Sequence, residues 1–449
     1  MQAYRRSTSL LAAALLVGCG ARSMLGSTDD AAAKDDAGSS DDASDDASVD
    51  ATVEPERDAG KDAEPVEDSP SDSSPPDAAI VPSDAGALCG TQPGAPWPMV
   101  AHDRERTARS AFDGPRTKQT KWQFTLPYNN FSSSPAVAAD GTIYLEDLGG
   151  ELLALDANGA KKWSTKDTGA YGSPAIGCDG TVYVDGPHRW EQNVGWVDDL
   201  MVAVRPSGTL AWKFTVIVPF NLLDNSPVPA PGGLLYYARD GYYGLGVDGS
   251  FRFHVDGGAG YAGAREAIND GAVAFGSMAS LDGSSAIAFT ADGSVAWSRA
   301  DMGQGAILSD GTFVGAGPTR IAGYSPLGVE LWSTPASKPS SIALAADGRI
   351  YAFSSQGIIS IDGSHVATLV YPWTNPYGNY PSLVIDASGW VYGSLYDRVV
   401  ALRPDDSVAF ELQLGGMSNG GDYVDDTSLA LSQGTLYVAA YHHLWAIGP

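Results

Sequence analysis

Cysteine and histidine are scarce in this 449-residue chain, which has three cysteines and six histidines. No Cys-x-x-Cys-His stretch is present, which excludes a covalently attached c-type haem. His442 and His443 are neighbours, and successive strand residues point to opposite faces, so they cannot chelate one metal ion from a regular strand. The sequence also lacks a Gly-x-Ser-x-Gly elbow, a phosphate-binding loop and a calcium loop. We therefore predict no metal site and no catalytic residue.

Positive charge is also scarce. The chain has 27 Lys and Arg against 54 Asp and Glu, a net charge of −27. Residues 27–88 hold 19 acidic and 3 basic side chains and no aromatic one, and the region from residue 89 onward carries −14. A chain of this charge lacks a dominant nucleic-acid surface, so no nucleic-acid partner is predicted. Residues 20–88 are predicted to be an acidic disordered linker, because they offer too little apolar surface to offset chain entropy.

At the N-terminus, Arg5 and Arg6 precede an apolar stretch over Leu10–Val17. This stretch is too short to span a membrane as a helix of the mature protein. This pattern is typical of an export signal. It ends in Leu16-Val17-Gly18-Cys19, which resembles the bacterial lipoprotein box. The resemblance implies a signal peptide at residues 1–19 and a lipid on Cys19. With Gly rather than Asp at position 20, it also implies an outer membrane lipoprotein of the cell envelope, facing either the periplasm or the surface. The alternative is an ordinary cleaved signal with an incidental cysteine.

From residue 121 onward, turn signals recur at a nearly regular interval. Most lie about 40 residues apart, the period of a propeller blade. They are Asp140-Gly141, Asp179-Gly180, Gly232-Gly233, Asp270-Gly271, Asp310-Gly311, Asp347-Gly348, Ser388-Gly389 and Gln433-Gly434. Asp-Gly and Asn-Gly are strong hairpin signals, because a type I′ turn needs positive φ at both central residues. We therefore predict eight small antiparallel units.

A second turn signal in each of five units is followed four residues later by an aromatic residue. These aromatics are Trp163, Trp212, Phe253, Trp297 and Trp332. The pattern Ala154-x-Asp156-x-x-Gly159-x-x-x-Trp163 resembles the PQQ-like repeat, and related copies end at Trp212 and Trp297. The resemblance covers residues 96–449 and extends to the BamB-like lipoproteins of the quinoprotein alcohol dehydrogenase-like superfamily. It implies a β-propeller that binds partners without a quinone.

The last unit ends after three strands, with Leu444–Ile447, and Lys121–Phe124 looks like its missing fourth strand. We therefore predict an all-β fold over residues 121–449. It is an eight-bladed β-propeller of four-stranded antiparallel blades, closed by an N-terminal strand that completes the last blade. A β-helix or a sandwich would not explain the missing strand. Residues 89–120 form a lead-in segment whose Trp97-Pro98-Met99 resembles that of PQQ-like propellers, with Ala108 in place of the usual Gly. We expect this segment to pack across the exterior or the closure.

The candidate binding residues follow from loop position. Tight turns join strands 1 and 2 and strands 3 and 4 of each unit, whereas insertions and aromatics concentrate in the 2→3 and 4→1 loops. The candidates for a partner- or ligand-binding face are His188, Trp190, Trp196, Tyr371, Trp373, Tyr377, Tyr380 and Tyr423. Aromatic residues on loops are common anchors of binding sites. The alternative is that they wedge between blades.

The leading functional hypothesis is a membrane-tethered, monomeric envelope lipoprotein that acts as a non-catalytic binding or scaffold module. Its partner would be an envelope protein or a glycan. The alternative is a quinone- or carbohydrate-acting enzyme, a degenerate quinoprotein dehydrogenase. Those enzymes hold PQQ beside a vicinal disulfide and calcium, whereas Cys89 and Cys178 are far apart, so neither PQQ nor calcium is predicted. Cys89 and Cys178 are expected to form a disulfide in an exported protein, with two separate thiols as the alternative.

Overall fold

The structure is a computed structural model. It describes residues 90–127, 129–131, 133–169, 172–191, 195–217, 226–238, 241–256, 267–268, 273–280, 283–290, 292–374, 382–395, 398–414, 429–440 and 442–449. The predicted signal peptide, Cys19 and the acidic linker lie outside these residues. The regular elements of the described part are 33 β-strands. Nowhere in this part does a helix reach the length and apolarity that a membrane crossing needs.

The strands form eight antiparallel sheets. Seven of them, numbered in chain order as blades 1 to 7, use consecutive strands, and the eighth combines strands from both ends of the repeat region. Strand β1 (Thr120–Thr125) precedes them. Blade 1 contains β2 (Ala136–Val137), β3 (Ile143–Glu146), β4 (Glu151–Leu155) and β5 (Lys161–Lys166). Blade 2 contains β6 (Ala175–Ile176), β7 (Val182–Val184), β8 (His188–Glu191), β9 (Gly195–Val204) and β10 (Leu210–Ile217). Blade 3 contains β11 (Val228–Ala230), β12 (Leu234–Ala238), β13 (Gly241–Gly246) and β14 (Phe251–Asp256). Blade 4 contains β15 (Ala267–Ile268), β16 (Val273–Ser280), β17 (Gly283–Thr290) and β18 (Val295–Ala300).

The remaining sheets are blades 5 to 7 and a composite sheet, here called the closing blade. Blade 5 contains β19 (Gly305–Ile307), β20 (Phe313–Ala316), β21 (Arg320–Tyr324) and β22 (Glu330–Pro335). Blade 6 contains β23 (Ser340–Leu344), β24 (Ile350–Ser354), β25 (Gly357–Ile361) and β26 (Ala367–Pro372). Blade 7 contains β27 (Leu383–Ile385), β28 (Val391–Leu395), β29 (Arg398–Leu402) and β30 (Val408–Gln413). The closing blade contains β31 (Leu429–Ser432), β32 (Thr435–Ala440) and β33 (His443–Ile447), with β1 as its outer strand.

The prediction of eight four-stranded blades is wrong, because the structure has seven four-stranded blades and not eight. The sheet of blade 2 has five strands, since residues of its 2→3 insertion form β8, which pairs with β9 beside β7. The closing blade joins both ends of the repeat region in the order β1-β33-β32-β31. In its register Trp122 lies opposite Ala446 and Phe124 lies opposite Leu444. The predicted orphan strand therefore occupies the outer edge of the last sheet.

The position of each strand within a blade follows from its apolar content. Inner strands such as β3 and β4 are buried over almost their whole length, so they read as nearly continuous apolar runs. Outer strands such as β5 are exposed or half-buried and carry polar residues. Neighbouring sheets meet through their first strands, as β23 does with β19 and β27. The core therefore lies between the sheets and toward the axis.

The tight turns differ from the type I′ geometry expected from their sequences. In the first hairpin the Gly141 amide donates to the Ala138 carbonyl (2.9 Å), and the Ala138 amide donates to the Thr142 carbonyl (2.9 Å). Gly141 has a φ of 81°, whereas Asp140 is not among the residues with positive φ. This is a three-residue loop with a type I turn followed by a left-handed glycine. Asp140 acts through its Oδ1, which accepts from the Thr142 amide (2.9 Å). The Gln433-Gly434 turn keeps positive φ at both residues.

The repeated tryptophans connect neighbouring sheets. The Trp163 indole donates to the Pro206 carbonyl of the next blade (3.0 Å), and its ring covers Gly208, where a Cβ would lie 2.8 Å from the ring. Trp122 of β1 makes the same contact with blade 1, donating to the Ala157 carbonyl (2.9 Å). The spacing between the turn glycine and the aromatic therefore reflects contact between adjacent units. It also shows that β1 links the closing blade to blade 1.

The lead-in segment lies inside the ring, so the expectation that it packs across the exterior is wrong. Its backbone pairs with the innermost strands of successive sheets. The hydrogen-bonded pairs are Trp97 with Val137, Pro98 with Ile176, Arg104 with Ile268, Glu105 with Ile307, Thr107 with Leu344, and Ala108 and Ser110 with Ile385. The inner edges that a ring of sheets leaves unpaired are thereby satisfied. Ala108 has a φ of 53°, which explains why a glycine suits this position.

Candidate functional site

The two faces of the propeller are unequal. The short-turn face carries the 1→2 and 3→4 turns, and the insertion face carries the 2→3 and 4→1 connections. On the insertion face, β8 and β9 of blade 2 form a hairpin that continues past β7, whose last residue, Val184, pairs with Val202. Strand β9 runs on from this pair for about 20 Å to Gly195. The hairpin is therefore the longest feature on this face among the described residues.

The structure places three of the predicted site residues on this hairpin by their backbone register. Trp190 lies directly opposite Trp196, and His188 lies opposite Asp198. Strand β10 accompanies β9 to the same level, where Val216 also pairs with Asp198. The backbone register thus sets the two tryptophans at directly opposed positions of the hairpin.

The other predicted site residues do not join this hairpin. Tyr371 is only 8% exposed and belongs to the apolar cluster between blades 6 and 7, so it packs the core instead of anchoring a partner. Trp373 is half-buried beside the same cluster, with its ring edge-on to Phe353 at 6.1 Å between centroids. Tyr377, Tyr380 and Tyr423 lie outside the described residues.

A small cavity lies where the lead-in segment meets the starts of the inner strands. Its volume is about 40 Å³, and Trp97, Arg106 and Ser134 are among its lining residues, together with Gln304 and Ser382. Trp97 is fully buried, and its Nε1 has no hydrogen-bond acceptor among the described residues. A cavity of this volume has room for about one or two water molecules, whereas sites for cofactors have volumes of about 300–1,000 Å³.

The residues present do not fit PQQ, the cofactor of the related quinoprotein dehydrogenases. The chain has no adjacent cysteines with which to form a vicinal disulfide. The described residues contain no cluster of three His, Cys, Asp or Glu that could hold a metal ion. The lead-in segment, with Trp97 fully buried, fills the axial space down to the small cavity. We therefore derive no reaction through a quinone.

Sequence reasoning missed a buried acidic group between blades 1, 2 and 3. Glu146 ends β3 and is fully buried, and Asp185 follows β7 with 2% exposure. Asp185 accepts hydrogen bonds from the Tyr237 hydroxyl and from the Gly186 amide (3.0 Å). Burial raises the pKa of Glu146 well above its usual range, and the charges of Asp185 and Asp147 raise it further, whereas the nearby Thr168 hydroxyl lowers it. The sequence signal that could have indicated this group is an acidic residue at the end of the second strand in two successive units, Glu146 after β3 residues 143–145 and Asp185 after β7.

Replacing Glu146 by Gln is expected to stabilise the protein at neutral and alkaline pH. The folded-state pKa lies above the ordinary value of 4.5, so the folded state holds the proton more tightly than the unfolded state does. Stability therefore falls as pH rises from about 4.5 through the folded-state pKa, and this fall should be absent from Glu146→Gln. The gain should grow as the pH rises above about 4.5 and stay constant once the pH exceeds the folded-state pKa.

Urea unfolding at pH 5, 7 and 8.5 measures this difference. Glu151→Gln is the matched control, because its hydrogen bond with Ser164 lowers the pKa of Glu151, so that substitution should bring no gain at high pH. Equal pH profiles for the wild-type chain and Glu146→Gln would contradict the prediction.

Cys178 is disulfide-bonded, and its partner lies outside the described residues. Thr91 forms a bridge with Gly177, so the chain just after Cys89 runs beside Cys178. The Cys89–Cys178 pair remains a prediction, which peptide mapping without reduction would decide. Such a bond would fix the start of the lead-in segment to blade 2.

Comparisons with known proteins agree with this architecture. The family model described as "Outer membrane protein assembly factor BamB" matches residues 197–409. The crystal structure of BamB from Moraxella catarrhalis is similar with a TM-score of 0.55 and 14% identity, over 74% of this chain and 98% of that one. The quinohemoprotein alcohol dehydrogenase from Comamonas testosteroni gives a TM-score of 0.59 and 12% identity, over 78% of this chain and 80% of that one.

A propeller of another kind is similar as well. The C-terminal WD40 domain of Sif2 gives a TM-score of 0.55 and 10% identity, over 75% of this chain and 99% of that one. Identities this low establish the fold alone. No match was found among curated proteins. The ring of sheets and these similarities identify the chain as a β-propeller, of which residues 197–409 are similar to the BamB family.

Proposed function

We propose that this protein is a non-catalytic binding module of the bacterial cell envelope, tethered to the outer membrane by a lipid on Cys19. Residues 20–88 would tether the propeller to that lipid. The insertion face would bind an envelope protein or a glycan. The hairpin of blade 2 is the observation that carries this proposal, because its strand pair continues past β7 with Trp190 and Trp196 at opposed positions.

The alternative reading, a quinone- or carbohydrate-acting enzyme, has less support. The cavity on the axis is water-sized, and the residues around it do not match a quinone site. A scaffold role needs a platform of packed sheets, which seven four-stranded blades and one five-stranded sheet provide. Similarity of fold to a BamB protein agrees with such a role.

Substitution of Trp190 and Trp196 by Ala is expected to weaken partner binding without unfolding the propeller. Each anchor tryptophan should cost about 1–3 kcal/mol of binding free energy, because anchors carry most of the energy of an interface. The measurement is capture of envelope proteins and glycans from intact cells by the tagged chain, followed by titration of what is recovered.

Leu327→Ala provides a matched control on the short-turn face, since Leu327 is 84% exposed in the 3→4 turn of blade 5. This variant should capture the same partner as the wild-type chain. If Trp190→Ala and Trp196→Ala bind normally, or lose binding only because their melting temperature falls, the hairpin is not the binding surface.

The Cys19→Ala variant is expected to lose membrane attachment. A diacylated cysteine gives firm anchoring, since each buried methylene contributes about 0.8 kcal/mol. Labelling of growing cells with a fatty acid analogue should mark the wild-type chain and not Cys19→Ala, with Cys178→Ala as the control. Equal labelling of Cys19→Ala and the wild-type chain would refute the lipid anchor and leave the binding face untouched.

A further inference from the structure

Lysine is unevenly distributed over the propeller. Seven lysines lie between residue 89 and the C-terminus, and six of them lie on or beside the outer strands of three neighbouring sheets. This group, here called the lysine sector, consists of Lys118 and Lys121 at the closing blade, Lys161, Lys162 and Lys166 on β5, and Lys213 on β10. The seventh, Lys338, precedes β23 on blade 6. The sector therefore occupies one side of the ring.

The three outer strands of the sector contain no acidic residue. The outer strands of the other five blades contain Asp256, Glu330 and Glu411 against two arginines, Arg252 and Arg299. The whole region from residue 89 onward carries a net charge of −14. The outer strands of the sector thus carry an excess of positive charge on an acidic domain, although Asp156 and Asp167 flank β5. Such an excess attracts anionic surfaces.

Local contacts neutralise only part of this charge. Lys161 pairs with the half-buried Glu151 (3.1 Å), and Lys162 pairs with the exposed Asp140 (3.4 Å). Both lysines are themselves exposed, and ion pairs at the surface are weak. Lys121 donates to the Thr435 hydroxyl (3.2 Å), which is a neutral acceptor. These ammonium groups keep a positive field toward solvent.

Protection of sheet edges does not explain the sector. Lysines on an edge strand discourage pairing with another chain. The outer strand β26 of blade 6, however, has no charged residue. Leu369 on this strand is 44% exposed, and Val366, which directly precedes the strand, is 57% exposed. A general need for edge protection would apply equally to β26.

The described chain also begins at blades 1 and 2, beside their inner strands and 1→2 turns. Thr91 bridges Gly177 of blade 2, and the Gln92 side chain accepts a hydrogen bond from the Ala139 amide of blade 1 (2.9 Å). Blades 1 and 2 carry four of the six lysines. The described chain therefore enters the ring at two of the three sheets that carry the lysine sector.

We propose that the lysine sector is a docking surface for the anionic headgroups of a lipid membrane. Clustered lysines near an anionic bilayer each add a favourable electrostatic contribution that falls off within a Debye length. Docking through the outer edges of the closing blade and blades 1 and 2 would lay the propeller on its side. The insertion and short-turn faces would then both remain open to partners. This inference goes beyond the proposed function and does not depend on the lipid at Cys19.

Co-sedimentation with vesicles tests the proposal on the chain from residue 20 onward, which lacks the signal and the lipid. The vesicles contain equal parts phosphatidylglycerol and phosphatidylcholine, and pure phosphatidylcholine serves as the neutral comparison. At low ionic strength the chain should bind the anionic vesicles and not the neutral ones. The triple variant Lys161→Gln, Lys162→Gln and Lys166→Gln should bind at least about tenfold more weakly.

The matched control carries the same change of charge elsewhere, as Lys338→Gln, Arg320→Gln and Arg398→Gln on blades 5 to 7. It should bind as the wild-type chain does, and thermal melting of both variants verifies that they fold. Equal weakening by both variants, or no binding of the wild-type chain to anionic vesicles, would overturn the proposal. Binding to dextran sulfate without binding to vesicles would assign the sector to a soluble polyanion and also overturn it. Loss of labelling at Cys19 would leave this result unchanged, so the two failures are distinguishable.

Discussion

Deletion of residues 115–125 is expected to abolish cooperative folding of the propeller or to lower its stability by several kcal/mol. The deletion removes β1, which pairs with β33 from Thr120 to Thr125. It also removes the Trp122 indole that donates to the Ala157 carbonyl of blade 1 (2.9 Å). The closing blade would then expose an open edge, and its contact with blade 1 would be lost. Several kcal/mol is a large share of the roughly 5–15 kcal/mol that stabilises a typical domain.

Urea unfolding and light scattering measure this loss. A deletion of equal length in the acidic linker, residues 40–50, is the matched control and should leave the unfolding curve of the propeller unchanged. The single variant Trp122→Ala should show an intermediate loss, because it keeps the strand and removes the indole's contacts with blade 1 and with Tyr437. An unchanged melting curve for the deletion would contradict a sheet shared between the two ends of the repeat region.

The repeat architecture could be predicted because each unit contains the same turn and aromatic residues at the same spacing. Glycine at 141 and 159 is required by positive φ, and Trp163 must contact the glycine of the next unit, so both recur at fixed spacing. The composite sheet followed from a missing strand at one end and a spare strand at the other. These features depend on local geometry or on contacts that every unit repeats.

The parts that could not be predicted depend on contacts that occur once. The lead-in segment pairs with the inner strands through its backbone. Because backbone hydrogen bonds do not require particular side chains, the sequence of this segment does not indicate its position. The fifth strand of blade 2 arises within an insertion that no other unit shares. Tyr371 could not be separated from a surface aromatic, because a tyrosine at a strand end suits either the core or a loop.

Asp386 is another buried group whose contacts occur once, and the sequence pattern did not indicate it. Asp386 is 1% exposed and lies where the lead-in segment turns toward β1. Its Oδ2 accepts from the Gly114 amide (2.9 Å), the Tyr392 hydroxyl (3.2 Å) and the Arg116 guanidinium. Its Oδ1 accepts from the amides of Ser388 and Trp390 (2.9 Å each). One carboxylate therefore ties blade 7 to the chain that leads into the closing strand.

Asp386→Ala is expected to destabilise the protein by about 3–5 kcal/mol, the usual cost of removing one partner from a buried charged network. The substitution leaves buried amides at Gly114 and Trp390 without acceptors, which adds to the loss of the ion pair. Arg116→Met should cost much less, about 1 kcal/mol, because the Arg116 side chain is 36% exposed and water can replace part of its contact. Most of the effect should thus come from the carboxylate's bonds to the backbone and to Tyr392, and less from its charge pair.

A double-mutant cycle with urea unfolding separates these contributions. Asp386→Asn retains acceptors for some of the amides and should fall between the wild-type chain and Asp386→Ala. Asp362→Ala is the matched control, because Asp362 caps the equivalent type of turn through the Ser364 and Val366 amides (2.9 and 3.0 Å) at an exposed position. That control should cost about 1 kcal/mol, as loss of an exposed cap does. If Asp386→Ala costs no more than Asp362→Ala, the buried carboxylate does not hold the lead-in segment to blade 7.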